Sequence, residues 1–196
     1  MRMLYKMYRY VVRSYFQYIS IIKLKMMHVE FAPDIIIRGK STLLLRGNVK
    51  IGKRFTLQSG PLYSFDGGSR CKIDVANDAK LEIGDYSGIS NTTLSCKKEI
   101  RIGNYVNIGG QCIIMDSNHH SLEWEDRMDH IKDKTNTKTA PIIIGDYVFI
   151  GARCLLCKGV TIGEKSIVAA GSVVVTDIPS GEIWGGNPAR FIKKID

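Results

Sequence analysis

Three of the four histidines, His119, His120 and His130, fall in one polar, charged stretch between Ser117 and Ala140. An imidazole titrates near neutrality, so it can take a proton from a hydroxyl under ordinary conditions. His119 and His120 are adjacent, and their spacing leaves open which of them would act, or whether both are simply solvated. His130, at the far side, and the distant His28 read as surface or packing residues. Asp116 stands just ahead of the pair and is one candidate to orient an imidazole; a backbone carbonyl is another. The remaining motif with chemical potential is Cys154-x-x-Cys157, a spacing that occurs in zinc and redox sites. A structural zinc site needs four ligands, and no second pair is spaced to complete one, so no metal is expected.

A catalytic pair needs a rigid frame, and the frame here is a repeat of six. Ile144, Ile150, Leu156, Ile162, Val168 and Val174 follow one another at that interval, and Gly145, Gly151 and Gly163 come directly after three of them. A small or branched residue stands four places beyond each aliphatic: Val148, Cys154, Val160, Ser166, Ser172 and Ile178. The same hexad occurs at Ile83-Gly84, Ile102-Gly103 and Ile108-Gly109, and more loosely at Ile51-Gly52. Residues six apart never share a helix face, because each step turns the chain by roughly 100°. They do share the face of an extended chain, and a turn in every hexad would fold short strands into stacked coils. One coil cannot bury its apolar side alone; its neighbours complete the core. Cys154 and Cys112 occupy the small inward place of their hexads and are expected to be buried thiols. The repeat stops at Met115-Asp116 and resumes at Ile142, so the histidines lie on an insertion covering 116–141. An insertion of this length in a compact repeat is usually functional.

The first segment has a different period. Arg2, Lys6, Arg9, Arg13, Gln17, Ser20 and Lys23 step by three or four, and Leu4, Tyr8, Val11, Tyr15, Ile19, Ile22 and Met26 form the opposite face. This predicts an amphipathic helix within residues 1–30. Of the formal charge of +9, six positive charges lie before Glu30 with no acidic residue among them. Two uses fit: packing on the domain or a neighbouring subunit, or peripheral contact of residues 1–27 with an anionic membrane surface. The segment is too interrupted by charge for a spanning helix and lacks the features of a signal peptide. Five cysteines without framework spacing argue against a disulfide scaffold, so a cytoplasmic location is expected, the inner face of the membrane included. No nucleic-acid module is present, and none is expected to bind. The length of 196 residues and a 44% hydrophobic content suit one globular domain.

The hexads from Ile83 to Lys194, with the closing Gly185-Gly-Asn-Pro-Ala-Arg-Phe-Ile-Lys-Lys194, resemble the hexapeptide-repeat acyltransferases of the sugar and polysaccharide O-acetyltransferase type. The resemblance implies an all-β fold: a left-handed parallel β-helix over 31–182, three hexads per coil, followed by a short C-terminal tail, 183–196. The hand comes from the resemblance alone, since the general rule for β crossovers favours the right hand. It further implies an acetyl-CoA-dependent O-acetyltransferase acting on a sugar or glycan hydroxyl, with direct transfer and no metal. In Asp116-Ser-Asn-His119, His119 corresponds to the general base, with His120 as competitor. Acetyl-CoA would lie along Gly151, Ala152, Ala170 and Thr176, with Arg190 and Lys193 toward its phosphates and the Ala152 N–H as oxyanion donor. Phe149 stands where many relatives have Trp. Asn91, Asp116 and Trp124 are the expected acceptor contacts. A homotrimer with sites between subunits is implied. The alternatives are an N-acetyltransferase on an amino sugar, an antibiotic-modifying acetyltransferase, and a non-catalytic β-helix scaffold. The γ-class carbonic anhydrases, a related β-helix family, place three histidines far apart in the chain, which His119, His120 and His130 do not.

Overall fold

Two-residue strands are too short to be stable unless each backbone amide finds a partner outside its own segment. In the computed structural model, which describes residues 2–63 and 69–195, that partner is the next coil. The strands form three sheets. Sheet one contains Glu30–Phe31, Asn48–Ile51, Lys80–Ile83, Glu99–Ile102, Ile142–Ile144 and Thr161–Ile162. Sheet two contains Ile36–Arg38, Thr56–Gln58, Gly88–Ser90, Asn107–Ile108, Phe149–Ile150 and Ile167–Val168, extended by Glu182–Gly185 and Arg190–Lys194. Sheet three contains Thr42–Leu45, Lys72–Val75, Thr93–Cys96, Ile113–Met115, Leu155–Leu156 and Val173–Val174. The chain visits sheets one, two and three in turn, making a triangular left-handed parallel β-helix.

The register explains the repeat. Ile144 pairs with Ile162 in sheet one, Ile150 with Val168 in sheet two, and Leu156 with Val174 in sheet three. Residues six apart therefore lie on different sheets, and those three hexads apart stack. All six are buried, while their neighbours along each strand face outward. Coils sit about 4.8 Å apart, so little room is left where the backbone turns. A Cβ on Gly109 would lie 2.6 Å from the Ala152 nitrogen, and one on Gly151 would lie 2.5 Å from that of Ala170. These glycines are demanded by the stacking itself.

The three corners carry distinct columns. Between sheets one and two, Tyr86, Tyr105 and Tyr147 adopt φ of 56–59° and stack ring on ring, with centroids 4.9 and 5.1 Å apart. Beside them, the side chains of Asp85, Asn104 and Asp146 each accept from a backbone N–H of the preceding coil at 2.7–2.8 Å. Between sheets two and three the inward column is small: Thr92, Cys112, Cys154 and Ser172, all buried. The Cys112 and Cys154 thiols each donate to a carbonyl of the next coil at 3.1 Å.

Both ends of the β-helix are closed. Helix α1, Arg2–Met26, lies against the first coil through its C-terminal half, where Leu24 joins Ile37, Leu43 and Phe55 in the core. The Gln17 amide donates to the Ile35 carbonyl at 2.9 Å and accepts from the Ile37 N–H. The docked face thus carries Gln17 and Ser20 of the polar stripe together with Leu24, while Leu4, Tyr8, Val11, Tyr15, Ile22 and Met26 of the apolar stripe are exposed. The reason is the sheet edge: Ile36–Arg38 is the first strand of sheet two, and its open backbone requires a polar partner. The side chains of Arg2 and Lys6, placed in the stripe by the sequence, lie outside the described residues. At the opposite end Glu182–Gly185 and Arg190–Lys194 form an antiparallel hairpin continuing sheet two, so the tail is structured.

Adjacent glycines test the stacking constraint. Gly109→Ala is expected to cost about 1–3 kcal/mol through forced displacement of the Ala152 backbone. Gly110→Ala, whose Cβ would meet nothing closer than the Ser90 oxygen at 3.9 Å, is expected to stay within about 0.5 kcal/mol. Urea unfolding of the two variants would show the difference.

Candidate functional site

The insertion leaves the frame at the corner between sheets three and one, after Ile113–Met115. Asp116 fixes its root. It is fully buried, and its carboxylate accepts from the N–H groups of Lys97, Lys98 and Glu99 at 2.7–2.8 Å. Ser117 pairs with Thr139 in an antiparallel bridge, and Ala140 N–H returns to the Asp116 carbonyl, closing the excursion. His119 adopts a left-handed φ of 64°, its N–H donating to the Ser117 hydroxyl.

The excursion is organised around a seven-residue helix, α2, His130–Asn136, capped by Asp129, which accepts from Ile131 and Lys132. From its first turn Asp133 reaches back. One carboxylate oxygen accepts from Ser121 N–H and the other lies 2.7 Å from His120 Nδ1. Asp126 accepts from the Ser121 hydroxyl, and Arg127 donates to the Ser121 and Leu122 carbonyls. His120 is therefore held on both sides. The hydrogen bond from His120, followed by that from Ser121 N–H, keeps the Asp133 carboxyl below its ordinary range. Facing a carboxylate, Nδ1 is the nitrogen that bears the proton in the neutral imidazole tautomer, which leaves the Nε2 lone pair on the far side of the ring. The ring is 70% exposed, leaving Nε2 reachable.

His119 is exposed, and among the described residues its imidazole makes no side-chain hydrogen bond. Partial burial first, and then the Lys97 charge, lower its pKa below the usual imidazole value. Both histidines line a cavity of about 510 Å³ with Arg46, Lys97, Thr137 and Thr139. Asp74 holds Arg46 and Lys97 in place at 2.7 and 3.4 Å. Among the described residues no group of three His, Cys, Asp or Glu is placed to hold a metal ion.

A second cavity, of about 570 Å³, lies at the other edge of sheet three, on the corner between sheets two and three. Ala152, Ala170, Gly110, Gln111 and Tyr63 line it. Its wall is backbone: among the described residues, the N–H groups of Ala152 and Ala170 make no protein hydrogen bond. Arg153, with Nε on the Gln111 side chain at 2.7 Å, lies at its side. Gly185, the register partner of Arg190, packs near Ala169 and Ser172, which puts exposed Arg190 above the same corner. Within one chain, the two cavities are separated by the width of sheet three, roughly 15–20 Å for five or six extended residues.

The structure thus groups Gly151, Ala152, Ala170 and Arg190 at one corner and His119 and Asp116 at another. Thr176 follows the last strand of sheet three and belongs to the histidine corner, away from Ala170. Lys193 pairs with Ile183 on sheet two, to one side of the Ala152 corner. Trp124 is exposed on the excursion beside Leu122. Asn91 lines the Ala152 cavity, but it is only 3% exposed and its amide is used within the chain, accepting from Gly60 N–H and donating to the Tyr63 carbonyl. One acceptor contact is corrected. The Asp116 carboxylate is taken up by three backbone amides, so it neither meets an acceptor nor orients an imidazole. Asp133 is the residue the sequence did not reveal. It stands 13 positions beyond His120, a separation that follows no local spacing rule, and only the Asp129 cap marks a helix there.

Residues 141–176 match the hexapeptide repeat of succinyl-transferase. The putative colanic acid biosynthesis acetyltransferase WcaF of Escherichia coli is 26% identical over 165 residues, 84% of this chain and 79% of that protein. A 56-residue stretch is 54% identical to a Clostridium perfringens N-acetyltransferase, of whose length the match covers 24%. Among solved structures, the N-acyltransferase AntD of Bacillus cereus, in complex with dTDP and coenzyme A, superposes with a TM-score of 0.71 at 24% identity, covering 89% of both chains. The hexapeptide-repeat acetyltransferase VCA0836 of Vibrio cholerae, complexed with acetyl coenzyme A, gives 0.54 at 36% identity over 59% of this chain and 61% of that one. These matches bear out the resemblance to hexapeptide-repeat acyltransferases and the β-helix.

If Asp116 serves the frame, Asp116→Ala is expected to lower the unfolding free energy by about 2–4 kcal/mol through three stranded amides. His119→Ala, at an exposed site, is expected to stay within about 0.5 kcal/mol. Denaturant titration compares them directly.

Proposed function

We propose that this chain is an acetyl-CoA-dependent acetyltransferase that esterifies a sugar hydroxyl, working as a cyclic trimer with His120 as its general base. The observation that carries this reading is the His120–Asp133 pair. A base held by a carboxylate and left with a free nitrogen is the arrangement that proton abstraction from a hydroxyl requires. His119, the base implied by resemblance, has no such partner. It remains close enough to help shape the pocket.

The second half of the site is the Ala152 corner. Acetyl-CoA lying along it would supply a thioester carbonyl. The corner suits such a ligand: its wall offers unused N–H groups, and Arg153 and Arg190 provide cations for phosphates. His120 Nε2 takes the proton of the acceptor hydroxyl as its oxygen bonds to the carbonyl carbon. The Ala152 N–H donates to the oxygen that gains charge. The imidazolium then returns its proton to the departing sulfur, leaving His120 neutral for the next cycle.

A second subunit would bring the halves together. The outward face of sheet three, which separates the two cavities, presents Ile113, Leu155 and Val173 side by side in its last three coils and Leu44 in its first, with Lys72, Asp74, Thr93 and Ser95 between. Sheet one presents Lys50, Lys80, Glu82, Glu99 and Arg101 instead. A three-fold axis facing sheet three would cover the apolar face and set each histidine corner beside the Ala152 corner of its neighbour. The sugar acceptor is supported by the likeness to WcaF, a putative colanic acid biosynthesis acetyltransferase, whereas AntD, an N-acyltransferase, shares the fold. An amide product would make this chain one as well, and mild hydroxylamine separates the cases because it cleaves only the ester.

The decisive experiment combines acetyl-CoA titration calorimetry with turnover on sugar acceptors. His120→Ala is expected to bind acetyl-CoA normally and lose about 10²–10⁴ in turnover. Asp133→Asn is expected to lose on the order of 10–10³ with a displaced pH profile, whereas His119→Ala keeps turnover within about tenfold. Full turnover in His120→Ala with loss in His119→Ala would assign the base to His119. A folded trimer that binds no acetyl-CoA would overturn the transferase reading.

A further inference from the structure

Helix α1 carries an apolar face that nothing in the chain covers. Its docked side is defined by Gln17, Ser20 and Leu24, which hold the edge and core of the first coil. At about 100° per residue, Leu4, Val11, Tyr15, Tyr18 and Ile22 lie within roughly 55° of the opposite direction. Leu4, Val11, Tyr15 and Tyr18 are 58–66% exposed. Because α1 lies at the end of the β-helix, this surface forms the base of the molecule. No helix among the described residues is long and apolar enough to cross a membrane.

The charge identifies the occupant. Residues 1–29 contain Arg2, Lys6, Arg9, Arg13, Lys23 and Lys25 and no acidic residue. Lys23 and Lys25, both exposed, stand roughly 75–90° to either side of the exposed hydrocarbon and flank it, whereas Arg9 and Arg13 continue the stripe of Gln17 and Ser20 beyond the docked turns. Sealing this face against a second copy of the helix would gather like charges, which opposes association. An anionic surface satisfies both features at once. Hydrocarbon enters the headgroup boundary, long cationic side chains reach phosphates, and the tyrosines suit the interface itself. We infer that α1 is a peripheral docking element that seats the base of the β-helix on a bilayer containing anionic phospholipid, with the helix lying in the membrane plane.

The test is flotation of the full chain with phosphatidylcholine vesicles, with and without about one-third phosphatidylglycerol. Binding is expected only with the anionic lipid, and it should weaken strongly as salt rises from about 0.1 to 1 M. Val11→Asp/Tyr15→Asp, at exposed positions, is expected to reduce binding at least about tenfold with an unchanged melting temperature. Lys23→Gln/Lys25→Gln, at the exposed cations flanking the apolar face, tests the charge separately and covers the case in which the first variant fails to fold. Each lost cation should weaken binding about fivefold. Absence of the folded chain from anionic vesicles would overturn the inference. So would equal binding to neutral vesicles, or binding that neither double substitution weakens. A drop in oligomeric mass in Val11→Asp/Tyr15→Asp, with no vesicle binding by the parent chain, would assign the face to subunit contact.

Discussion

Each coil of this protein is stable only because another coil lies against it. Strands of two residues make no ladder of their own, and the amides of Gly103, Gly109, Gly145 and Gly151 all find carbonyls one coil away at 2.8 Å. The same stacking buries the hexad aliphatics, which a single triangular turn would leave half in water. It also sets a narrow tolerance at the corners, where a methyl group is already too much at Gly109 and Gly151. From this one condition follow the spacing of six, the glycines and the need for something to cover each end.

A frame so constrained has few places for chemistry. The inward positions are filled by aliphatics and small hydroxyls or thiols, so a functional group must stand on a corner or leave the frame. The chain does both. At the corner of sheets two and three, the turn leaves the Ala152 and Ala170 N–H groups unused, which is an electrostatic resource built from backbone alone. At the corner of sheets three and one, it leaves the frame for an excursion whose root is clamped by Asp116 and whose far side is organised by α2. The clamp matters because a base is useful only where its nitrogen is fixed. In the proposed mechanism Asp133 does that fixing for His120, from a helix whose Asn136 also donates to Asp126.

Closing the two ends required two different solutions. The C-terminal hairpin satisfies the last coil with more β-structure. The N-terminal end is met by a helix, whose own backbone is already satisfied and which must therefore offer side chains to the open strand. Gln17 does so, and this choice decides the orientation of everything else on α1. Once the polar stripe turns toward the sheet edge, the hydrocarbon is turned outward.

The sequence by itself determined the coil. A strict period of six can be met by no α-helix, and the three hexads per coil implied by the family resemblance then set the stacked pairs Ile144–Ile162 and Leu156–Val174. The amphipathic helix and the boundaries of the insertion were legible for the same reason: local periodicity, and its interruption, are properties of the chain. Only the tertiary structure decided which groups meet. Asp116 and Asn91 are polar residues near the site, but they are absorbed by backbone amides from other coils, and no local pattern reports such partners. Thr176 and Ala170 are six residues apart yet sit at opposite edges of sheet three, because one strand carries the chain between corners. His120 was distinguished from His119 by a carboxylate 13 residues away, and the outward turn of α1 by one amide at a sheet edge. Periodicity is written along a chain, whereas the pairing of distant polar groups exists only once the chain has closed on itself.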